Sequence, residues 1–183
     1  MKRHEAVVIG ITGKAGAGKD TVADYLVREH GFQKLSFATI LKKMLEAAGM
    51  PEPANREDKE KTIPGFSFSW REAAQKLGTE WGRGLDPNVW VDAIEKYITM
   101  TEEKRGQRPR FVISDARFEN EAVLIRRRGV LLHVYGREAD LGAKSAHVSE
   151  AGIVRMPSDI LVDNSDTFDV TKGRLLEALG GVL

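Results

Sequence analysis

A three-layer α/β domain, with about five parallel strands and helices on both faces of the sheet, is predicted by three features of this chain. The segment "AVVIGI" (6–11) is β-branched and almost continuously apolar, the pattern of a strand buried on both faces. It runs into a glycine-rich turn and then into helical spacing. Strand and helix patterns alternate from there to the C-terminus, and such alternation builds a parallel sheet through right-handed crossovers. At 183 residues the length predicts one domain with a substantial core.

The elements read in order as follows. Residues 19–30 place Val22, Tyr25 and Leu26 at helical spacing, with Gly31 as the stop. "FQKLSF" (32–37) is a second strand and "ATILKKMLEAAG" (38–49) a second helix ending at Gly49. Pro51, Pro53 and Pro64 mark 50–68 as a mobile loop. Ser69 and Glu72 form an S-x-x-E capping box that opens a helix to about Gly82. Asp86-Pro87 supplies an N-cap and an N1 proline for a helix over 87 to about 101. After the polar "EEKRGQRPR", the strand "FVISD" (111–115) ends in an acid, 117–128 is helical with Gly129 as stop, and "VLLHVY" (130–135) is a strand. "DILVD" (159–163) is the last strand, and a C-terminal helix begins near Asp169. No repeat or low-complexity segment interrupts this pattern.

Composition narrows the function classes. A formal net charge of +1 gives no global electrostatic reason to expect nucleic acid or a membrane surface as partner. The run Arg126-Arg127-Arg128 reads as a solvated helix face. With no cysteine, thiol catalysis, disulfides and thiolate metal sites are excluded, and a reducing compartment suits the chain. "MKRHEAVVIGITG" starts with positive charge, but its apolar stretch is too short for a signal-peptide core. No window approaches the ~20 apolar residues of a membrane span. A cytoplasmic location is expected.

The chemistry concentrates in "GITGKAGAGKDTVADYL" (10–26). Gly13, Gly18 and Lys19 meet the phosphate-binding pattern G-x-x-x-x-G-K, but Asp20 stands where Ser or Thr is usual, and Thr21 follows one residue late. A loop of Gly13, Lys14, Ala15, Gly16, Ala17 and Gly18 lets backbone N–H groups converge on phosphate oxygens, and the helix N-terminus adds its positive end. Lys19 would reach the β- and γ-phosphates, and Thr21 the α-phosphate. A carboxylate at position 20 repels a triphosphate unless a cation lies between them, and Mg²⁺ is the hard, oxygen-seeking ion that fits. The plainer reading of Asp20 is a first-turn acid that complements the helix dipole.

Five stretches, "GKAGAGKDTVADYL", "WREAAQKLGTEWGR", "ISDARFENEA", "AHVSE" and "DILVDNSDTFDVTKGRL", together resemble the deoxynucleoside monophosphate kinases of bacteriophages. They occur in order from residue 10 to about 176, and the G-K-D-T variant recurs in that family. The resemblance implies a P-loop NTPase fold, with an acceptor-binding helical insertion (about 38–101) and a lid (about 136–157). It also implies ATP as phosphoryl donor, with Mg²⁺, and a deoxynucleotide as acceptor. Animal-type phosphomevalonate kinases and dephospho-coenzyme A kinases share parts of the layout and supply the alternative acceptors.

A phosphorylated acceptor calls for cationic side chains outside the loop. Arg71 and Gln75 lie one turn apart on one helix face, and the resemblance carries them, with Trp81 and Arg83, to the acceptor side. Trp70, Trp81 and Trp90 are each able to stack a base or to fill a core. Asp115, closing a buried strand, is placed to hold Mg²⁺ directly or through water, to meet the acceptor or act as base for an alcohol one, or simply to cap the next helix. Arg117 and Glu121 follow it, Arg117 as a candidate catalytic and substrate contact. Glu121 either pairs with a neighbouring Arg or meets the acceptor. Arg137 and Lys144 in the lid would meet phosphates on closing. His147, Ser149 and Glu150 form a stretch shared with the family, without an assigned role for His147. Asn164, Ser165 and Thr167 follow the last strand, where related kinases hold adenine largely through backbone contacts.

A nucleotide-dependent switch or ATPase module is the reading from another class. Against it, the chain has no N-K-x-D stretch for guanine, since "DNSD" lacks the Lys. The expected partners are small nucleotides, and the sequence leaves a homodimer open.

Overall fold

The computed structural model describes residues 6–55, 57–105, 108–136 and 152–183. Its elements are β1 (Val7–Thr12), α1 (Lys19–His30), β2 (Gln33–Leu35), α2 (Thr39–Ala47), α3 (Trp70–Gln75), α4 (Val89–Arg105), β3 (Arg110–Ile113), α5 (Glu119–Arg128), β4 (Gly129–Tyr135), β5 (Ile160–Asp163) and α6 (Phe168–Leu179). The chain divides into two compact units, one formed by residues 37–96 and one by the segments on either side.

The larger unit holds the sheet. Its strand order is β2-β3-β1-β4-β5, and every pairing is parallel. The central β1 is buried along its whole length, as its unbroken apolar run requires. Ile9 and Ile11 pack with Val22 and Leu26 of α1 and with Leu175 and Leu179 of α6. Each such side chain contributes roughly 1.5–3 kcal/mol on burial. Helices cover both sides of the sheet, so the five-stranded parallel architecture is as the sequence indicated. Because β3 and β4 flank β1 on opposite sides, the chain reverses its winding direction here. Ligands of open α/β sheets collect at the carboxyl ends of strands at such a point.

Several boundaries differ from the sequence reading. β3 stops at Ile113, so Ser114 and Asp115 lie just past the strand. α5 starts at Glu119 and not at 117. The helix expected over 87–101 begins at Val89, because Asp86 Oδ1 accepts the Asn88 N–H at 2.8 Å and forms a separate turn ahead of it. It then continues to Arg105, since Glu102, Glu103 and Lys104 are good helix formers.

In the smaller unit the Ser69–Glu72 capping box is formed in both directions, at 3.1 and 2.8 Å. α3 is α-helical only to Gln75, and Lys76–Arg83 continues as a π-helix. Inside that turn the Trp90 indole N–H donates to the Gly78 carbonyl at 2.8 Å, which competes with the regular α-helical ladder. Residues 50–68 are not featureless. A 3-10 turn spans Asp58–Glu60, and Glu52 bridges Lys42 and Lys59.

Candidate active site

The loop between β1 and α1 gives the site its frame. Gly13 and Gly18 have φ of 141° and 91°, a region that favours glycine. Both are also hemmed in: a side chain at 13 would meet the Val134 carbonyl, and one at 18 the Asn164 amide. Lys19 Nζ donates to the carbonyls of Gly13 and Lys14, each at 2.7 Å. Ala17 is buried, whereas Gly13, Lys14, Gly16, Asp20 and Thr21 are exposed.

Asp20 is joined to the neighbouring strand ends. Its Oδ1 accepts the Ser114 hydroxyl at 3.0 Å and lies 3.1 Å from Lys34 Nζ. Lys34 also reaches Asp24 at 2.9 Å, one turn further along α1. Partial desolvation raises the Asp20 pKa, but hydrogen bonds from Lys34 and Ser114 and the charges of Lys34 and Lys19 outweigh it. The carboxyl is held below its ordinary value. Oδ2 makes no hydrogen bond to a described residue.

Asp115 sits one residue beyond Ser114. Its Oδ2 accepts the Ser36 hydroxyl at 2.5 Å, which ties the end of β2 to the end of β3. Because β3 pairs directly with β1, Asp115 lies just past the strand next to the one that leads into the loop. Arg117 is exposed, and its guanidinium makes no ion pair with a described residue.

Glu121 is 3% exposed, and its Oε2 accepts the backbone N–H groups of Arg117 and Phe118 at 2.7 and 3.1 Å. These contacts make it an N-terminal cap of α5. Asn164 is also buried, at 1% exposure. Its Nδ2 donates to the Ala17 carbonyl at 2.9 Å, from beneath the phosphate loop. Thr167 is exposed and stands at the N-cap of α6, offering its carbonyl to Thr171.

In the smaller unit, Arg71 and Gln75 are both exposed on α3, and Arg71 pairs with Glu60. Arg83 donates to the Pro87 carbonyl at 3.1 Å. Of the three tryptophans, Trp70 and Trp90 are core residues whose N–H groups bond the Met50 and Gly78 carbonyls. Trp81 is half exposed. Arg137, Lys144, His147, Ser149 and Glu150, with most of the expected lid, lie outside the described residues.

Sequence reasoning missed Lys34, Ser36 and Ser114, whose hydroxyls and ammonium hold the two candidate carboxylates. It also misread Arg126 and Arg128. Arg126 is 13% exposed and grips buried Asp159 through Nε and Nη2 at 2.9 and 2.8 Å, and Arg128 pairs with Glu102 at 2.9 Å. Only the middle member of that run, Arg127, is exposed.

With this geometry in place, comparison with known proteins decides the family. Residues 57–174 match the deoxynucleotide monophosphate kinase family. The chain belongs to this family. A protein of Acanthamoeba polyphaga mimivirus, named as a candidate deoxynucleotide monophosphate kinase, is 30% identical over 177 residues. That alignment covers 89% of this chain and 91% of the relative. The deoxynucleoside-5'-monophosphate kinase of Escherichia phage T5 is 32% identical over 110 residues, covering 56% of this chain and 42% of its own length. Among solved structures, the Thermus thermophilus protein TT1252 superposes with a TM-score of 0.58 at 21% identity. It covers 98% of this chain and 99% of its own, a likeness of fold. Family membership makes this chain a kinase, with ATP as the donor that the family implies. No helix among the described residues is long and apolar enough to cross a membrane.

Proposed function

We propose that the chain transfers the γ-phosphoryl group of ATP to the phosphate of a deoxynucleoside monophosphate, giving the deoxynucleoside diphosphate and ADP. The observation that carries this reading is the junction of Lys19 and Asp20 with Ser114 and Asp115, at the ends of adjacent strands, in a chain of this family. An acceptor phosphate oxygen attacks the γ-phosphorus, the bond to the β-bridging oxygen breaks, and ADP leaves. The attacking oxygen is already anionic near pH 7, because the second ionisation of a phosphate monoester lies near pH 6. No general base is therefore required of Asp115.

Catalysis then rests on position and charge. Lys19 exchanges its two loop carbonyls for phosphate oxygens, and Arg117 and Arg137 complete the neutralisation of the transferring group. The loop from Gly13 to Gly18 and Thr21 hold the donor phosphates, and the turn carrying Asn164 and Thr167 lies on the adenine side. Arg71, Gln75, Trp81 and Arg83 serve the acceptor. Glu121 supports Arg117 through its backbone.

Mg²⁺ fits the donor set. Two carboxylates, Asp115 and Asp20, whose Oδ2 has no hydrogen bond to a described residue, suit an ion that binds through one or two carboxylates plus substrate phosphates. Among the described residues no cluster of three or more acidic or histidine side chains offers a protein-only cage. When bound, the ion would neutralise charge on the phosphates. The viral origin of both named relatives supports a viral enzyme, and the phage T5 relative supports a phage one working in the host cytoplasm.

ADP release measured across deoxynucleoside monophosphates, dephospho-coenzyme A and phosphomevalonate tests the reading. A deoxynucleoside monophosphate is expected as the best acceptor, and turnover of an alcohol acceptor alone would overturn it.

A further inference from the structure

The Asn164 side chain is the centre of a buried network that joins three parts of the larger unit. Its Nδ2 donates to Ala17 O at 2.9 Å, its Oδ1 accepts the Thr171 hydroxyl at 2.9 Å, and its backbone N–H donates to Tyr135 O at 2.8 Å. Asn164, Ala17 and Thr171 are each at most 1% exposed. The Ala17 carbonyl can only accept, so the amide must present its NH₂ there, and the hydroxyl of Thr171 then meets the amide oxygen. A side chain at Gly18 would collide with this same Nδ2.

We propose that Asn164, oriented by Thr171, is a positioning residue that sets the phosphate loop for the triphosphate. A trans peptide directs its C=O and N–H to opposite sides. Holding the Ala17 carbonyl inward on Asn164 therefore turns the Gly18 N–H outward, as a donor to a phosphate oxygen. Gly18 is also the residue immediately before α1, so the tether fixes the point where the loop's donors pass into the helix N-terminus. Asn164 acts from beneath the loop and does not touch the nucleotide with its side chain. The assignment rests on the kinase reading above, and it gives α6 a part in donor binding through Thr171.

The test is ATP binding and acceptor binding, each by calorimetry, with circular dichroism to confirm the fold. Asn164→Asp keeps the shape and the acceptor for Thr171 but loses the donor to Ala17. Thr171→Val removes the hydroxyl that orients the amide, and Thr171→Ser restores it. ATP affinity should fall roughly 10-fold or more in Asn164→Asp and by a smaller factor in Thr171→Val, the scale of one lost buried hydrogen bond. Thr171→Ser should bind as the parent does, and affinity for the best deoxynucleoside monophosphate should be unchanged throughout. If Asn164→Asp does not fold, the Thr171 pair decides. Folded variants that bind ATP like the parent, or that lose ATP and acceptor affinity equally, would overturn the tether. A parent chain that binds no ATP would instead overturn the kinase reading.

Discussion

Ser114, at the end of β3, donates its hydroxyl to Asp20 Oδ1 in the first turn of α1, at 3.0 Å. Lys34 approaches the same oxygen at 3.1 Å, and Oδ2 makes no hydrogen bond to a described residue. Asp20→Asn keeps an acceptor for Ser114 but removes the charge. The Mg²⁺ concentration giving half-maximal turnover should rise in this variant. Should it lose only thermal stability and keep its metal dependence, Asp20 serves the helix dipole alone.

Lys19 bridges two loop carbonyls at 2.7 Å, and a triphosphate can replace these neutral acceptors with anionic oxygens. Lys19→Ala should leave a folded protein whose turnover drops by roughly 10²-fold or more, the scale of one lost electrostatic stabiliser. Near-normal turnover would remove the phosphate-loop assignment.

A separate prediction concerns acid stability. Asp159 is buried, which raises its pKa. Hydrogen bonds from Arg126, the Met156 N–H and His133, with the Arg126 charge, outweigh that and bring it to about 2 from an ordinary 3.8. A depressed folded pKa gives stability that is present above the unfolded value and lost as pH falls through the folded one. The contribution is about 2 kcal/mol at neutral pH, and it fades between roughly pH 4 and pH 2. Urea unfolding of the parent and of Asp159→Asn should therefore show a stability gap at pH 7 that narrows across this acid window. A gap that stays constant with pH would mean that the ionised carboxylate is not its source.

The central strands β1 and β3 were legible because they are short apolar runs, and burial on both faces forces that pattern. The capping box was legible for a similar reason, since Ser69 and Glu72 act within four residues. Long-range polar pairs were not. Nothing local in "RRR" distinguishes Arg126, whose partner Asp159 lies 33 residues away, from exposed Arg127. Ser36 and Ser114 look like ordinary strand-end serines until the parallel pairing of β2, β3 and β1 brings them to the carboxylates. Glu121 and Asn164 carried site-like signals, but the backbone groups they hold, the Arg117 and Phe118 N–H groups and the Ala17 carbonyl, are not revealed by a pattern of side chains. The π-helical turn was hidden as well, and so was the Trp90 indole that bonds to its Gly78 carbonyl from 12 residues away.

The proposed acceptor role of Arg71 is open to test, because Arg71 pairs with Glu60 while both side chains remain about half exposed. An exposed ion pair is worth about 0–1 kcal/mol, so Glu60 gives way readily to a phosphate. A guanidinium clasps a phosphate through two parallel N–H groups, and lysine cannot reproduce that fork. Arg71→Lys should therefore raise the acceptor KM and leave the ATP KM nearly unchanged. A hydrogen bond to a charged group contributes about 1.5–3 kcal/mol, so Arg71→Ala should weaken acceptor use by roughly 10- to 100-fold. Glu60→Gln separates this role from a structural one. It removes the competing carboxylate, and the acceptor KM should then stay level or fall slightly. If Glu60→Gln impairs acceptor use as much as Arg71→Ala does, the ion pair itself is what the acceptor side needs. If Arg71→Ala moves the ATP KM as far as the acceptor KM, the arginine belongs to the donor side.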